Sequence, residues 1–598
     1  MRRLLSLLSV VVAAGWAGCS SDRATWVDGA RDFGSTDAGA DAGCPGFVCS
    51  RDLRSVRDCS GNVVEECGAN QACGNGKCIA PCDAAAANEG SVGCSFAVPS
   101  PNNEANYGGR GSCFAVFVAN NWTTPATLRL DHEGQQRSLD GAVWVPSVVD
   151  GVVKHTKLEG PIPPGGGAVV FVSNENTQAP NWVACPPSVE PVFDKELSVY
   201  GTGIGRASFI GADVPVSMYA MYPYGGANGH FSSAMLLFPS TSFRKKYVVS
   251  SAWGGQSDGF GRGILPNSSV NAVQPGNPTL QIVAVEDETS IDLLPRVDII
   301  GGGGVKPGGR NQIASYRLRR GEVLQLTQDN ELVGAIVESN KPVGVFGGHT
   351  CLQVPSDVGY CDIENNQLPP VSAWGHQYVI MPAPNREELA SRGKGKELDP
   401  SPIRFVGAAN DTTLTYEPSR PKGAPETLAL GELAVFFANE PFVVRSQDGT
   451  HPFYAASVMT GSLASSTELG DPEVAMQVPT DQWLDTYGFF ADYSYLLSAV
   501  YVARRKVDGA FRDVNLDCAG PLTKWRTITP DYEWTYVELT RNRMPQSYPA
   551  GTCTDGAHRI WSDGPFSMTQ WGLTVAGSYG YPGGTGLRPI SDVDVPVR

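Results

Sequence analysis

The chain has 598 residues, with 45 basic side chains against 61 acidic ones and a formal net charge of −16. That length allows about three to five structural units with sizeable cores, and the acidic balance disfavours nucleic acid or an anionic membrane surface as the principal partner. Fifteen cysteines argue against a reducing compartment and for an exported, oxidised protein.

The chain opens with Met1-Arg2-Arg3, continues through an apolar stretch from Leu4 to Ala14, and reaches the small pair Ala17-Gly18 before Cys19. This layout predicts a signal peptide over residues 1–18. Its apolar part spans about a dozen residues, short of the roughly 20 that a helix needs to cross a bilayer. Cys19 resembles the acylated cysteine of bacterial lipoproteins, although Trp16 stands where that family's lipobox usually has Leu. The resemblance implies a lipid anchor at Cys19 and a place on the outer membrane or cell surface, since Ser20 offers no retention signal. The residues that follow, up to 43, are rich in Asp, Ala, Gly and Ser and read as a flexible tether.

A small disulfide-rich module is expected over residues 44–94. Cys44, Cys49, Cys59, Cys67, Cys73, Cys78 and Cys82 are too dense for a conventional core, and Cys94 is the natural eighth partner, with Cys113 as the alternative. Clustered thiolates also suit zinc, but the segment has no Cys-x-x-Cys pair and no His, so disulfides are preferred.

From about residue 113 to 598 the sequence changes to short runs of Val, Ile, Leu, Phe and Tyr, such as Phe114–Val118 and Leu280–Val285, broken by Gly, Pro, Asn and Asp. These are strand signals, and the body is expected to be all-β. One pattern recurs three times. It reads Ala212-Asp213-Val214-Pro215-Val216, Leu237-Phe238-Pro239 and Tyr247; then Ser339-Asn340-Lys341-Pro342-Val343, Gln367-Leu368-Pro369 and Tyr378; then Gly449-Thr450-His451-Pro452-Phe453, Gln477-Val478-Pro479 and Tyr487. Weaker strand-turn-strand signals near 120–130 and 501–516 extend the array to about four units, the first and last divergent. Spacing leaves open a propeller-like ring or a row of β-sandwiches; the ring is preferred because it hides edge strands.

The second copy carries a family likeness. Ser339 to His349, Cys351, Val354-Pro355, Cys361-Asp362, Gln367 to Val371, Trp374-Gly375 and Tyr378-Val379 resemble the N-terminal domain of IgGFc-binding proteins over roughly residues 200–570. The resemblance implies a local disulfide between Cys351 and Cys361 and an extracellular binding or adhesive role. Ile363 departs from the family, which often has a His near that place.

Signatures of catalysis are missing: there is no Gly-x-Ser-x-Gly elbow, His-Glu-x-x-His, Walker loop or EF-hand loop. His349 and His376, with Cys351, Asp362 and Glu364, could converge on a metal, but hydrogen-bonded loop histidines are the plainer reading. The acidic runs Glu286-Asp287-Glu288 and Asp592 with Asp594 read as solvated turns. Trp374, Tyr219, Tyr222 and Tyr224, with His349, are the candidate binding residues, set against the alternative that they fill the β core. The sequence therefore predicts a non-enzymatic surface adhesin without cofactor or metal, whose loops engage an extracellular protein or glycan. Alternatives are an extracellular polymer hydrolase, which would need two carboxylates facing across a cleft, and a structural coat component.

Overall fold

The computed structural model describes residues 46–50, 52–103, 109–149, 152–250, 253–254, 276–391, 399 and 401–597. The expected signal peptide, Cys19, the tether and Cys44 lie outside the described residues. Among the described residues the α-helices are Pro81–Asn88 and Arg386–Ser391, and no helix is long and apolar enough to cross a membrane. The first of them follows from Pro81 in the opening turn and the alanine run behind it, and it stops at Glu89 in a left-handed conformation. Nearly all remaining regular structure is antiparallel strand, as the sequence led one to expect.

The cysteine-rich module is held by Cys49–Cys73, Cys67–Cys78 and Cys82–Cys94. Cys113 pairs instead with Cys185, inside the body. Its strands are short, and Val63–Glu66 is exposed throughout, so covalent links take over much of the role that a core has elsewhere.

The body consists of four units built on one plan. In each, a sheet ends toward the molecular centre in a short inner strand: Ser233–Leu237, Asp362–Gln367, Glu473–Met476 and Gly577–Pro582. Each inner strand forms a hairpin with the strand before it, which is Gly203–Tyr222, Ile336–Leu352, Phe453–Met459 or Gly556–Thr574. Two further strands complete the sheet on its outer side. In units 1 and 2 these are Phe114–Ala119 with Gly167–Ser173, and Pro278–Ala284 with Glu322–Thr327. In units 3 and 4 they are Ser401–Gly407 with Leu433–Ala438, and Leu497–Val507 with Tyr532–Arg541.

The long strands of units 1, 2 and 4 run on into a second sheet; in unit 3 the same run is interrupted and begins as Phe442–Ser446. Alternation of the side chains then fills the space between the two sheets, as along Thr289–Leu294, where every second residue is buried. In unit 2 the filling includes Ile282, Ile291, Leu293, Leu324 and Val337; in unit 3 it includes Ile403, Phe405, Leu414, Phe442 and Val444. Fully burying each such side chain contributes about 1.5–3 kcal/mol.

The second sheet is completed by the preceding unit, which removes an open edge at every joint. Arg244–Val248 pairs with Ile336–Leu352, Gln377–Ile380 with Phe442–Ser446, and Leu484–Ala491 with Gly556–Thr574. In unit 1 the same place is taken by Gly93–Pro99, which leaves the cysteine-rich module.

The joints explain the sequence repeat. Pro239, Pro370 and Pro479, each with φ of −62°, open a one-turn 3₁₀ helix. The tyrosine eight residues further on, Tyr247, Tyr378 or Tyr487, accepts a backbone N–H from three residues earlier at 3.1, 3.1 and 2.9 Å respectively. Its own O–H donates to the carbonyl of Val343, Phe453 or Phe566 in the next unit. The residue equivalent to Pro239 and Pro479 is thus Pro370, not Pro369 as the sequence pattern aligned it. Phe566 also reveals a fourth copy of the polar-Pro element, Ser562-Asp563-Gly564-Pro565-Phe566.

The four inner strands stand around a common centre, each touching those of two other units. Ring and sandwich are therefore combined: two-sheet units are arranged in a circle. The final segment closes the circuit, with Gly586 bridged to Gly90, the Thr585 N–H donating to Ser91 Oγ at 3.0 Å, and Asp594 paired with Lys246 at 2.6 Å.

Candidate functional site

Because the four hairpins share one direction, their connecting loops gather at one end of the ring. They comprise residues 223–232, 353–361, 460–472 and the tight turn at 575–576. Neighbours around this end are bonded in sequence. His230 Nδ1 lies 2.9 Å from the Val575 carbonyl, and the Ala576 N–H donates to Glu468 O at 3.0 Å. The Gly470 N–H, from a residue with φ of +70° that favours glycine, donates to Thr574 O at 2.7 Å. The Gly461 N–H reaches Val354 O at 2.7 Å, and the Ser232 N–H reaches Asp362 Oδ1 at 3.0 Å. The second loop is pinned at its base by Cys351–Cys361. Tyr360, next to Cys361 in this loop, is 50% exposed, and Asn228, His230, Glu468 and Val575 in the other loops are exposed as well.

The third loop rests on Arg386, a residue the sequence reading did not single out. Its side chain is fully buried, is clasped by Asp399, and donates to the carbonyls of Thr460 at 2.9 Å and Leu469 at 3.1 Å.

Directly beneath the loops, four carboxyl groups are buried where the inner strands meet: Asp362, Glu364, Asp471 and Glu473, none more than 2% exposed. Asp362 accepts N–H groups from two other units, Ser232 at 3.0 Å and Ser578 at 3.2 Å. Ser578 Oγ donates to the Asp471 carbonyl at 2.6 Å, and Glu364 accepts the Val474 N–H at 3.2 Å. Burial pushes all four groups upward, Glu364 and Asp471 to about 7 and Asp362 and Glu473 well above the ordinary carboxylate range. For Asp362 the charge of Asp471 adds to burial, and for Glu473 that of Glu364 does.

The expected binding side chains are elsewhere, and their burial is a correction. Trp374, Tyr219, Tyr222, Tyr224 and His349 are all 6% exposed or less and belong to the core. Trp374 Nε1 donates to the Pro369 carbonyl at 3.1 Å, as Trp483 does to Val478 at 3.0 Å, which makes it part of the repeated joint. The Tyr219 hydroxyl meets the carbonyls of Gly488 and Gly583, that of Tyr222 meets Gly109 O at 2.9 Å, and that of Tyr224 meets His155 Nε2 at 2.9 Å. These polar tips need buried partners, and the fold supplies them. Burial lowers His349 to about 3, and the ring accepts the Cys351 N–H at Nδ1. His376 does not join it in a ligand cluster. Among the described residues the one group with metal-like spacing is Asp517, Cys518 and His558, but the Cys518 sulfur is bonded to Cys553. The acidic turn at 286–288 is exposed and pairs with Lys341 and Arg317.

The four buried carboxyls were likewise unanticipated as a set. Their signal is the spacing Asp-x-Glu eight residues before the joint proline, present at Asp362-Ile363-Glu364 before Pro370 and at Asp471-Pro472-Glu473 before Pro479.

No curated protein matches the chain. The family described as IgGFc binding protein matches residues 233–572, from the inner strand of unit 1 to the end of the long strand of unit 4. That span exceeds half of the sequence and takes in all of units 2 and 3 with their joints, so the chain belongs to the IgGFc binding protein family.

Proposed function

We propose that the protein is a non-catalytic surface lipoprotein, anchored through Cys19, whose hairpin loops engage an extracellular protein or glycan. Membership of a binding-protein family is the observation that carries this reading. The six disulfides among the described residues fit an oxidising exterior. The loop end is favoured over the outer sheets because it gathers segments from all four units onto one scaffold and displays Tyr360, a rigid amphipathic side chain suited to contact. A hydrolase would need its acid pair open to substrate; the carboxyls that do face each other here are closed in.

The test is binding of the mature protein to immunoglobulin Fc and to panels of extracellular proteins and glycans, with Tyr360→Ala compared against Met544→Ala, an exposed position outside the loops. The expected result is saturable binding of one partner, weakened about tenfold or more by Tyr360→Ala and unchanged by Met544→Ala. Self-association without a saturable partner would instead support a coat component.

A further inference from the structure

The centre of the ring is an unusual place for acid side chains. Asp362 and Glu364 come from unit 2, Asp471 and Glu473 from unit 3, and the groups that bind them include Ser232 of unit 1 and Ser578 of unit 4. Any change in their charge is therefore felt at once by all four inner strands. Hydrogen-bond donors are too few for four ionised carboxylates. Among the described residues Glu473 Oε2 and Asp471 Oδ2 have no partner, and Glu473 Oε1 has the Ser233 hydroxyl at a distant 3.4 Å. Glu364, in contrast, accepts from the Val474 N–H and from Asn366. Glu473 and Glu364 face each other, and a proton carried by Glu473 and donated to Glu364 satisfies both.

The surroundings offer little positive charge. Arg386 approaches Asp471, but its guanidinium is already clasped by Asp399. On the strand Phe453–Met459, Tyr454 faces Glu364, with Arg404 behind it in contact with Glu331. Ahead of Leu497–Val507, Tyr495 faces Asp362 and donates to Ser232 Oγ at 2.7 Å. Asp492 adds a further acid, near Tyr495 and the Tyr579 of unit 4. Burial keeps these tyrosines protonated, so none supplies a cation or takes the proton from the acids.

We propose that these four carboxyls form a proton-operated lock: while they hold protons the inner strands stay closed around the centre, and when they ionise the ring loosens at its loop end. The sign follows from linkage. In an opened state the groups titrate near the ordinary carboxylate range of about 4, whereas in the closed ring Glu364 and Asp471 hold protons to about 7 and burial shifts Asp362 and Glu473 in the same direction. The closed ring thus binds more protons across that interval, and closure weakens as pH rises through it. This inference rests on the ring alone and stands whether or not the loops bind a partner.

Hydrogen exchange of the full mature protein tests it, measured as protection factors from roughly pH 5.5 to 8.5, with the intrinsic pH dependence of exchange divided out. Amides of Ser233–Leu237, Asp362–Gln367, Glu473–Met476 and Gly577–Pro582 are expected to lose at least about tenfold in protection across that range, one pKa unit of linkage. The outer strands Ala314–Leu318 and Thr412–Glu417 serve as references and are expected to stay constant. In Glu473→Gln, which keeps the shape of the protonated acid, the loss is expected to shrink. Equal protection of the inner strands at both extremes, or a parallel loss in the reference strands, overturns the proposal, and the wild-type profile decides even if the variant fails to fold. Recovery of protection at high pH by millimolar calcium, reversed by chelator, would make the centre a cation site and also overturn it.

Discussion

Single side chains at the joints and beneath the loops bear more of this architecture than the surface charges do. Arg386 is the clearest case, since it is fully buried, satisfies loop carbonyls and neutralises Asp399. Removing one member of such a pair strands the other charge in the interior. Arg386→Ala is expected to cost about 3–5 kcal/mol, read as a lowered denaturant midpoint with an unchanged slope. A loss below about 1 kcal/mol would mean that the pair behaves like a surface ion pair. The same scale shows why the aromatic binding candidates went astray. A tyrosine beside a glycine-rich turn has the same sequence signature whether it faces solvent or core, and only the hydroxyl partners of Tyr219, Tyr222 and Tyr224 decide between them. Tyr360 escaped notice because it lies between the two cysteines of a loop with no strand pattern of its own.

Among elements, the Cys351–Cys361 hairpin loop joins sequence, fold and function most directly. A link across a loop of this size, with the cysteines 10 apart in sequence, is expected to contribute roughly 2–3 kcal/mol by restricting the unfolded chain. The double variant Cys351→Ser with Cys361→Ser should therefore unfold at lower denaturant. It should also lose affinity in the binding assay, because Tyr360 would no longer be held in place. Stability lost without any effect on binding would move the contact surface to another loop. The joint element was legible because its chemistry is strict: a proline fixes φ at the 3₁₀ turn, and a tyrosine hydroxyl must lie eight residues later to reach the next unit. The register slipped by one at Leu368-Pro369-Pro370 because two prolines compete for one role. The fourth copy at Ser562–Phe566 went unread because no 3₁₀ turn or tyrosine joint follows it at the expected distance; its inner strand ends at Pro582 and the chain then turns back to Gly90.

At the scale of the molecule, ring and sandwich were posed as alternatives because strand spacing reports sheets, not how sheets share strands. Closure arises from swapping, each unit completing its neighbour, and Gly93–Pro99, the strand that leaves the cysteine-rich module, fills the place that unit 1 would otherwise lack. The acidic centre draws on that closure: Ser232 of unit 1 and Ser578 of unit 4 meet only when the circle is complete, and both donate an N–H to Asp362. Family membership and the loop-bearing end together make a case for recognition of an extracellular partner by segments drawn from all four units.

The most direct test of that case is a hydrogen-exchange footprint of the mature protein bound to the partner captured in the binding screen. Added protection at residues 223–232, 353–361 and 460–472, with the outer sheets unchanged, is the predicted result. Protection confined to the cysteine-rich module or to the outer sheets would contradict the account and place recognition elsewhere.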